Sequence, residues 1–378
     1  MNRVVGVESP DPAAEQNAAP GTREKHSAPK LRVGDWVEVR SKAQILQTLD
    51  SRGRLDGMPF MPEMFSYCGR QFQVYKRAHK TCDTVFPVRG RRIDRTVHLE
   101  TRCDGQAHDG CQAGCLLFWK EAWLKPIRKP SSGAHHQDPR PPDHSPCPTG
   151  CTEAQVLAAT RSDNPNGGPP LYVCQATQLP YATSRLHWWE LDQYIEDYTS
   201  GNVGLWRIIA GGVYSLFYNV SRRRGRIGRL MRMFYDKFYP LWRGTPFPRK
   251  TGIIPEGAPT PSVTLSLQPG ELVRIKSHDE ILKTLNTRSR NRGLYFDAEE
   301  VPYCGGTYRV LRRVDRIVNE KTGHMLEFKT PAVILDSVVC QSRFSDCRMF
   351  CPRSIYSYWR EIWLERVTPS NSTAPNRQ

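Results

Sequence analysis

The sequence has no glycine-rich phosphate loop of the Walker or dinucleotide type, no H-E-x-x-H and no G-x-S-x-G. Phosphate cradling, zincin hydrolysis and a nucleophile elbow are therefore not written into it. Apolar runs are also scarce. The first 30 residues carry Pro, Ala, Glu and Ser with no apolar stretch, so residues 1–30 read as a disordered tail and not as a secretory leader. The most apolar run, residues 203–220, is interrupted by Arg207 and by the adjacent Gly211 and Gly212. As a helix it would extend about 27 Å, barely a bilayer core, and no transmembrane helix is expected. A cytoplasmic protein is the resulting expectation. In that compartment the 12 cysteines are thiols or metal ligands in preference to disulfides.

What the sequence does contain is a duplication. Leu31 aligns with Leu267 and Gly69 with Gly305 at a constant offset of 236 residues, without a gap. Arg52, Arg54, Gly57, Phe60, Glu63, Tyr67, Cys68 and Gly69 all have identical counterparts. Ser41 followed by Gln44, and Ser277 followed by Glu280, have the form of capping boxes that open short helices. The tryptophan pairs Trp119/Trp123 and Trp359/Trp363 suit core anchors. The repeats span residues 31–127 and 267–367. Between them lie a Pro/Ser/Gly/His-rich linker at 128–150, a helical basic region at 151–250 and a second linker at 251–266; residues 368–378 form a tail.

Each repeat has short strands and one helix, an α+β pattern. The G-D-x-V-x-V opening at Gly34 to Val39, with the Tyr67-led strand over residues 67–74, resembles SH3-like barrels of the KOW type. That resemblance implies two SH3-like, mainly β domains flanking the helical basic middle. Further runs carry a likeness to an uncharacterised bacterial family with duplicated SH3-like domains and clustered cysteines. They are P-F-M-P-E-M at 59–64, Y-C-G at 67–69, K-R-A-H-K-T-C-D at 76–83, C-Q-A-T at 174–177, S-G-N-V at 200–203 and C-P-R-S at 351–354. The likeness brings no activity with it.

The duplicated thiols are Cys68, Cys103, Cys111 and Cys115 in the first repeat and Cys304, Cys340, Cys347 and Cys351 in the second. Four per repeat matches a tetrahedral zinc or a cysteine-ligated iron–sulfur cluster. The x₃ spacing of 111/115 and 347/351 allows two sulfurs to meet one ion. Cys82 or His108 could replace Cys68 in the first set. Cys147 and Cys151, with Cys174 and either His144 or His187, form a third candidate set. The radical-SAM pattern C-x₃-C-x₂-C is not completed, because Phe118, Ser354 and Ala154 stand where its last cysteine would. Cys82 also has no counterpart in the second repeat. With His79 nearby, it is the candidate nucleophile or redox thiol.

The leading expectation is a zinc- or iron–sulfur-binding accessory or adaptor protein. A redox enzyme or electron carrier, using clusters or a reactive Cys82, is the alternative. A third reading follows from charge. The chain has 54 basic and 38 acidic side chains, a net +16, and residues 221–250 hold ten cations against Asp236 alone. That favours an anionic or protein partner: nucleic acid, or peripheral contact with a membrane through Trp206, Phe217 and Tyr218.

Overall fold

The computed structural model describes residues 30–85, 89–129, 150–223, 225–239, 244–345 and 347–367. The first repeat opens with Gly34 at φ +89°, a turn conformation that suits glycine. It feeds strand β1 (Trp36–Val39). The Ser41 hydroxyl then accepts from the Gln44 amide at 3.4 Å, and the Gln44 side chain accepts from the Ser41 amide at 3.2 Å. This reciprocal cap opens helix α1 (Lys42–Leu46). A 3-10 turn (Pro62–Tyr67) leads to β2 (Gln71–Gln73), β3 (Lys76–Arg77) and β4 (Lys80–Cys82). The return path is β5 (Gly90–Arg92), β6 (Thr96–Arg102), β7 (Leu116–Lys120), a turn (Glu121–Trp123) and β8 (Leu124–Ile127). All pairings are antiparallel, in small sheets ordered β8-β1-β2 and β3-β6-β7.

The middle region contributes α2 (Gln175–Ala182), β9 (Ser184–Leu186), α3 (Asp192–Thr199), α4 (Leu205–Arg223) and α5 (Gly225–Phe238). β9 joins the sheet of the first repeat, in the order β9-β5-β4. No described helix is long and apolar enough to cross a membrane. Residues 251–266 run without a strand or helix along the second repeat. Asn291 donates to the Pro261 carbonyl at 2.9 Å and Arg292 to that of Thr260 at 2.8 Å.

The second repeat repeats the order: β10 (Leu272–Ile275), α6 (His278–Leu282), a 3-10 turn (Ala298–Tyr303), then β11 (Thr307–Val318) and β12 (Met325–Val339) as one long hairpin. β13 (Tyr356–Trp359) and β14 (Leu364–Arg366) complete a five-stranded sheet, β13-β12-β11-β10-β14. Where the second repeat runs straight through β11, the first is broken into β2, β3 and β4.

The duplication extends to individual bonds. Trp123 donates to Thr48 at 3.0 Å, and Trp363 to Thr284 at 2.9 Å. Phe60 meets Trp123 edge-on at 5.1 Å, and Phe296 meets Trp363 at 5.3 Å. Arg77 reaches Glu121 at 2.7 Å and the Leu31 carbonyl at 2.9 Å; Arg313 reaches Glu361 at 2.8 Å and the Leu267 carbonyl at 3.2 Å. Trp119, Trp123, Trp359 and Trp363 are fully buried. They are core anchors, as expected, but on strand and turn positions and not on a helix. Truncating any of them to alanine would remove about 3–5 kcal/mol.

Candidate functional site

The broken strand of the first repeat sends β4 into the second repeat. All three residues of β4, Lys80, Thr81 and Cys82, are buried. The Cys82 amide donates to the Cys351 sulfur at 3.1 Å. The two cysteine side chains also interact with each other. Cys351 follows a segment, Ser342 to Phe350, that is closed by a Phe350 amide to Ser342 carbonyl bond at 2.9 Å.

The two sulfurs therefore play different parts. Cys82 is pushed well above the usual thiol range by its interaction with the Cys351 side chain and then by burial. Burial also raises Cys351, but the Cys82 thiol and the backbone amide of Arg353 together outweigh it and hold Cys351 below the ordinary value. Five other thiols are raised by burial. Burial pushes Cys68 and Cys174 up to about 11, and Cys115, Cys304 and Cys340 up to about 12.

Cations surround the pair. Arg353 is buried and bonded to Glu320 at 2.7 Å. Lys76 reaches Ser354 at 3.4 Å. Behind β4, Lys80 and Asp197 form a buried ion pair at 2.5 Å, and the His79 Nε2 lies 3.3 Å from the other Asp197 oxygen and 3.2 Å from the Gln193 carbonyl. His79 thus sits in this network, directed to Asp197 and Gln193. Asn202 brackets β3, accepting from the Arg77 amide at 2.8 Å and donating to its carbonyl at 2.7 Å. A small recess of about 10 Å³, the size of one water molecule, adjoins the buried Cys351. It is lined by Lys76, Asn202, Val203, Arg207, Gln341 and Phe350. Two cations, Lys76 and Arg207, thus line the recess beside the Cys351 thiol.

The other sequence candidates are placed as follows. The Cys103 amide donates to the Cys115 carbonyl at 2.9 Å, while burial and the Glu63 carboxylate act on the Cys103 thiol. The Cys111 sulfur accepts from the Val318 amide at 3.3 Å, and Gln112 binds the backbone of Asp315 and Arg316. The segment around 111–115 therefore docks on the β11 strand of the second repeat. Cys174 and Cys111 act electrostatically on Cys115, and Cys340 acts on the Cys82–Cys351 pair. Cys151 packs in the first core, and Cys304 flanks the second. The Cys347 carbonyl approaches Gly90. His108 is spent on the Val173 carbonyl at 3.0 Å, and His187 stacks on Trp189. Cys147 and His144 lie outside the described residues. Among the described residues, no three His, Cys, Asp or Glu side chains are grouped so that they could hold a metal ion.

The pairing of Cys82 with Cys351 is the feature that sequence reasoning missed. One signal pointed that way: Cys82 has no thiol at its counterpart, Val318. Compared with protein-family models, with curated proteins and with solved structures, the chain matches none.

Proposed function

We propose that the protein is a dithiol redox protein whose working pair is Cys351 and Cys82. The observation that carries this reading is the 3.1 Å bond from the Cys82 backbone N–H to the sulfur of Cys351, a thiol whose affinity for protons is lowered. A thiolate is the attacking species in thiol–disulfide exchange. The Cys351 thiolate attacks one sulfur of an anionic disulfide drawn to Lys76 and Arg207. A mixed disulfide forms, and the first thiolate leaves and takes up the Cys82 proton. Cys82 then attacks the Cys351 sulfur, closing a Cys82–Cys351 disulfide and releasing the second thiolate. The protein loses two electrons and one proton, and the disulfide becomes one thiol and one thiolate. A cytoplasmic, reducing setting suits the dithiol form. The strand, capped helix, 3-10 turn and returning strand found in both repeats support reading each as an SH3-like unit that carries one half of the pair. A zinc- or iron–sulfur-holding role has no comparable geometric support among the described residues.

The test uses the reduced full-length chain and one equivalent of the dianionic disulfide 5,5′-dithiobis(2-nitrobenzoate). Two equivalents of thionitrobenzoate should be released per pair, and peptide mapping should recover a 82–351 cross-link. Cys82→Ser should stop the reaction at a mixed disulfide on Cys351, and the rate of the first step should titrate below the ordinary thiol value of about 8.5. Absence of the 82–351 cross-link, or a first step that survives Cys351→Ser, defeats the reading.

A further inference from the structure

A second feature, independent of the thiols, lies on the helices of the middle region. α4 (Leu205–Arg223) is held to the second repeat by one face. At Gly211 an added Cβ would stand 2.5 Å from the Phe350 ring and 2.9 Å from the Met349 sulfur. Tyr214 meets Phe344 at 5.0 Å, and Phe217 and Tyr218 turn onto Phe247. Phe217 and Tyr218 are therefore packing groups, and of the three aromatics expected at a membrane only Trp206 faces out.

The opposite face is also apolar. Trp206, Ile209, Val213 and Leu216 recur at helical spacing, and Trp206, Val213 and Leu216 are 83, 64 and 68% exposed. α5 (Gly225–Phe238) repeats the arrangement with exposed Ile227, Leu230, Phe234 and Phe238. The two helices are joined through Phe217 and Tyr235, whose rings lie 5.4 Å apart. Soluble surfaces rarely carry an apolar stripe of this kind without a ligand. What borders it identifies the occupant. Arg222, Arg226, Arg229 and Lys237 are exposed beside the stripe, in a segment, 221–250, with ten cations and one carboxylate. An apolar face flanked by cations and carrying an exposed Trp is complementary to an anionic phospholipid surface, where the side chains enter the acyl boundary and the cations meet the headgroups.

We infer that α4 and α5 form a peripheral docking surface for anionic phospholipid membranes, with Trp206, Leu216, Leu230 and Phe234 entering the interface and Arg226 and Arg229 at the headgroups. Neither helix crosses the bilayer; both lie in its surface.

Co-sedimentation of the full chain with phosphatidylcholine vesicles, with and without phosphatidylserine, tests this. Binding should need phosphatidylserine and weaken with added salt. Arg226→Gln with Arg229→Gln should reduce the partition coefficient by about 30-fold, at about fivefold for each cation. Trp206→Ser and Leu216→Ser should each reduce it by about tenfold or more. These positions are exposed, so an unchanged far-ultraviolet spectrum should accompany the loss. Three results overturn the inference. One is equal binding to neutral and anionic vesicles. Another is no vesicle binding, with tight binding of a duplex oligonucleotide that the arginine changes abolish. The last is a dimer in sedimentation that Leu216→Ser dissociates, which makes the stripe a contact between two copies.

Discussion

His98 makes stability depend on acidity in a calculable way. Its ring is fully buried on β6, its Nδ1 donates to the Leu117 carbonyl at 2.8 Å, and it lies 4.5 Å from the Phe118 ring. Its Nε2 has no hydrogen-bond partner. Burial, followed by the neighbouring cations Lys76, Arg353 and Arg102, lowers its proton affinity to about 3 against the Leu117 bond, which favours the charged form. The unfolded chain binds that proton near pH 6.5. Below pH 6.5 the unfolded state therefore holds more protons than the folded one, and stability falls as pH falls, until the folded value is reached. Between pH 7.5 and 5 the loss from this residue is about 2 kcal/mol. That figure hardly depends on the folded value, because at pH 5 the folded ring is still neutral. His278, lowered to about 4 chiefly by burial, acts in the same direction and persists when His98 is changed. Urea unfolding of the wild type and of His98→Gln at both pH values isolates the term. Carboxylates and His278 cancel in the difference, and the variant should lose about 2 kcal/mol less than the wild type on acidification. Parallel losses in the two proteins would refute the account.

The repeats also permit matched comparisons. Arg77 is 3% exposed and serves both Glu121 and Glu196, whereas its counterpart Arg313 is 27% exposed and serves Glu361. Arg77→Leu should cost about 3–5 kcal/mol, since it strands partly buried carboxylates, and Arg313→Leu about half as much; equal losses in denaturant titrations would contradict this difference in burial. Gly105 and Gly69 both have φ near +75°, but a Cβ at Gly105 would fall 1.9 Å from the Cys111 carbonyl while one at Gly69 meets nothing within 4 Å. Gly69→Ala should cost about 1 kcal/mol, and Gly105→Ala clearly more, with faster amide exchange at Gln112; similar costs would mean that the 105–111 turn yields freely.

The duplication and its anchors were legible in the sequence because they are local or periodic. The Ser41 and Ser277 caps depend on residues three apart, and Phe60 and Phe296 share one register. Two tryptophans four apart fit a helix equally well, so the strand and turn that hold Trp119 and Trp123 were not visible. The thiol expectation rested on spacing within 103–115 and 340–351. Spacing says which sulfurs could meet and not which way the backbone turns them. In the fold, the amide bonding of Gln112 to β11 directs that segment to the second repeat, and Cys82 meets a sulfur 269 residues away. No local pattern encodes that distance.

The broken symmetry accounts for where the chemistry can lie. Two equal repeats would present the same thiols twice. Here β11 continues to Val318, while the first repeat ends the corresponding path in β4 with Cys82. Cys115 stands in the first repeat where Cys351 stands in the second, yet Cys115 is raised by burial and Cys351 is lowered. The difference is the surroundings: Cys351 has the side chain and backbone N–H of Cys82 and the amide of Arg353. Replacing Cys82 by Val, the residue at its counterpart, removes the neighbouring thiol while leaving the backbone donor. The Cys351 thiol then moves up, toward the behaviour of the other buried cysteines. The asymmetry at that one position thus sets Cys351 apart from its duplicated counterpart Cys115.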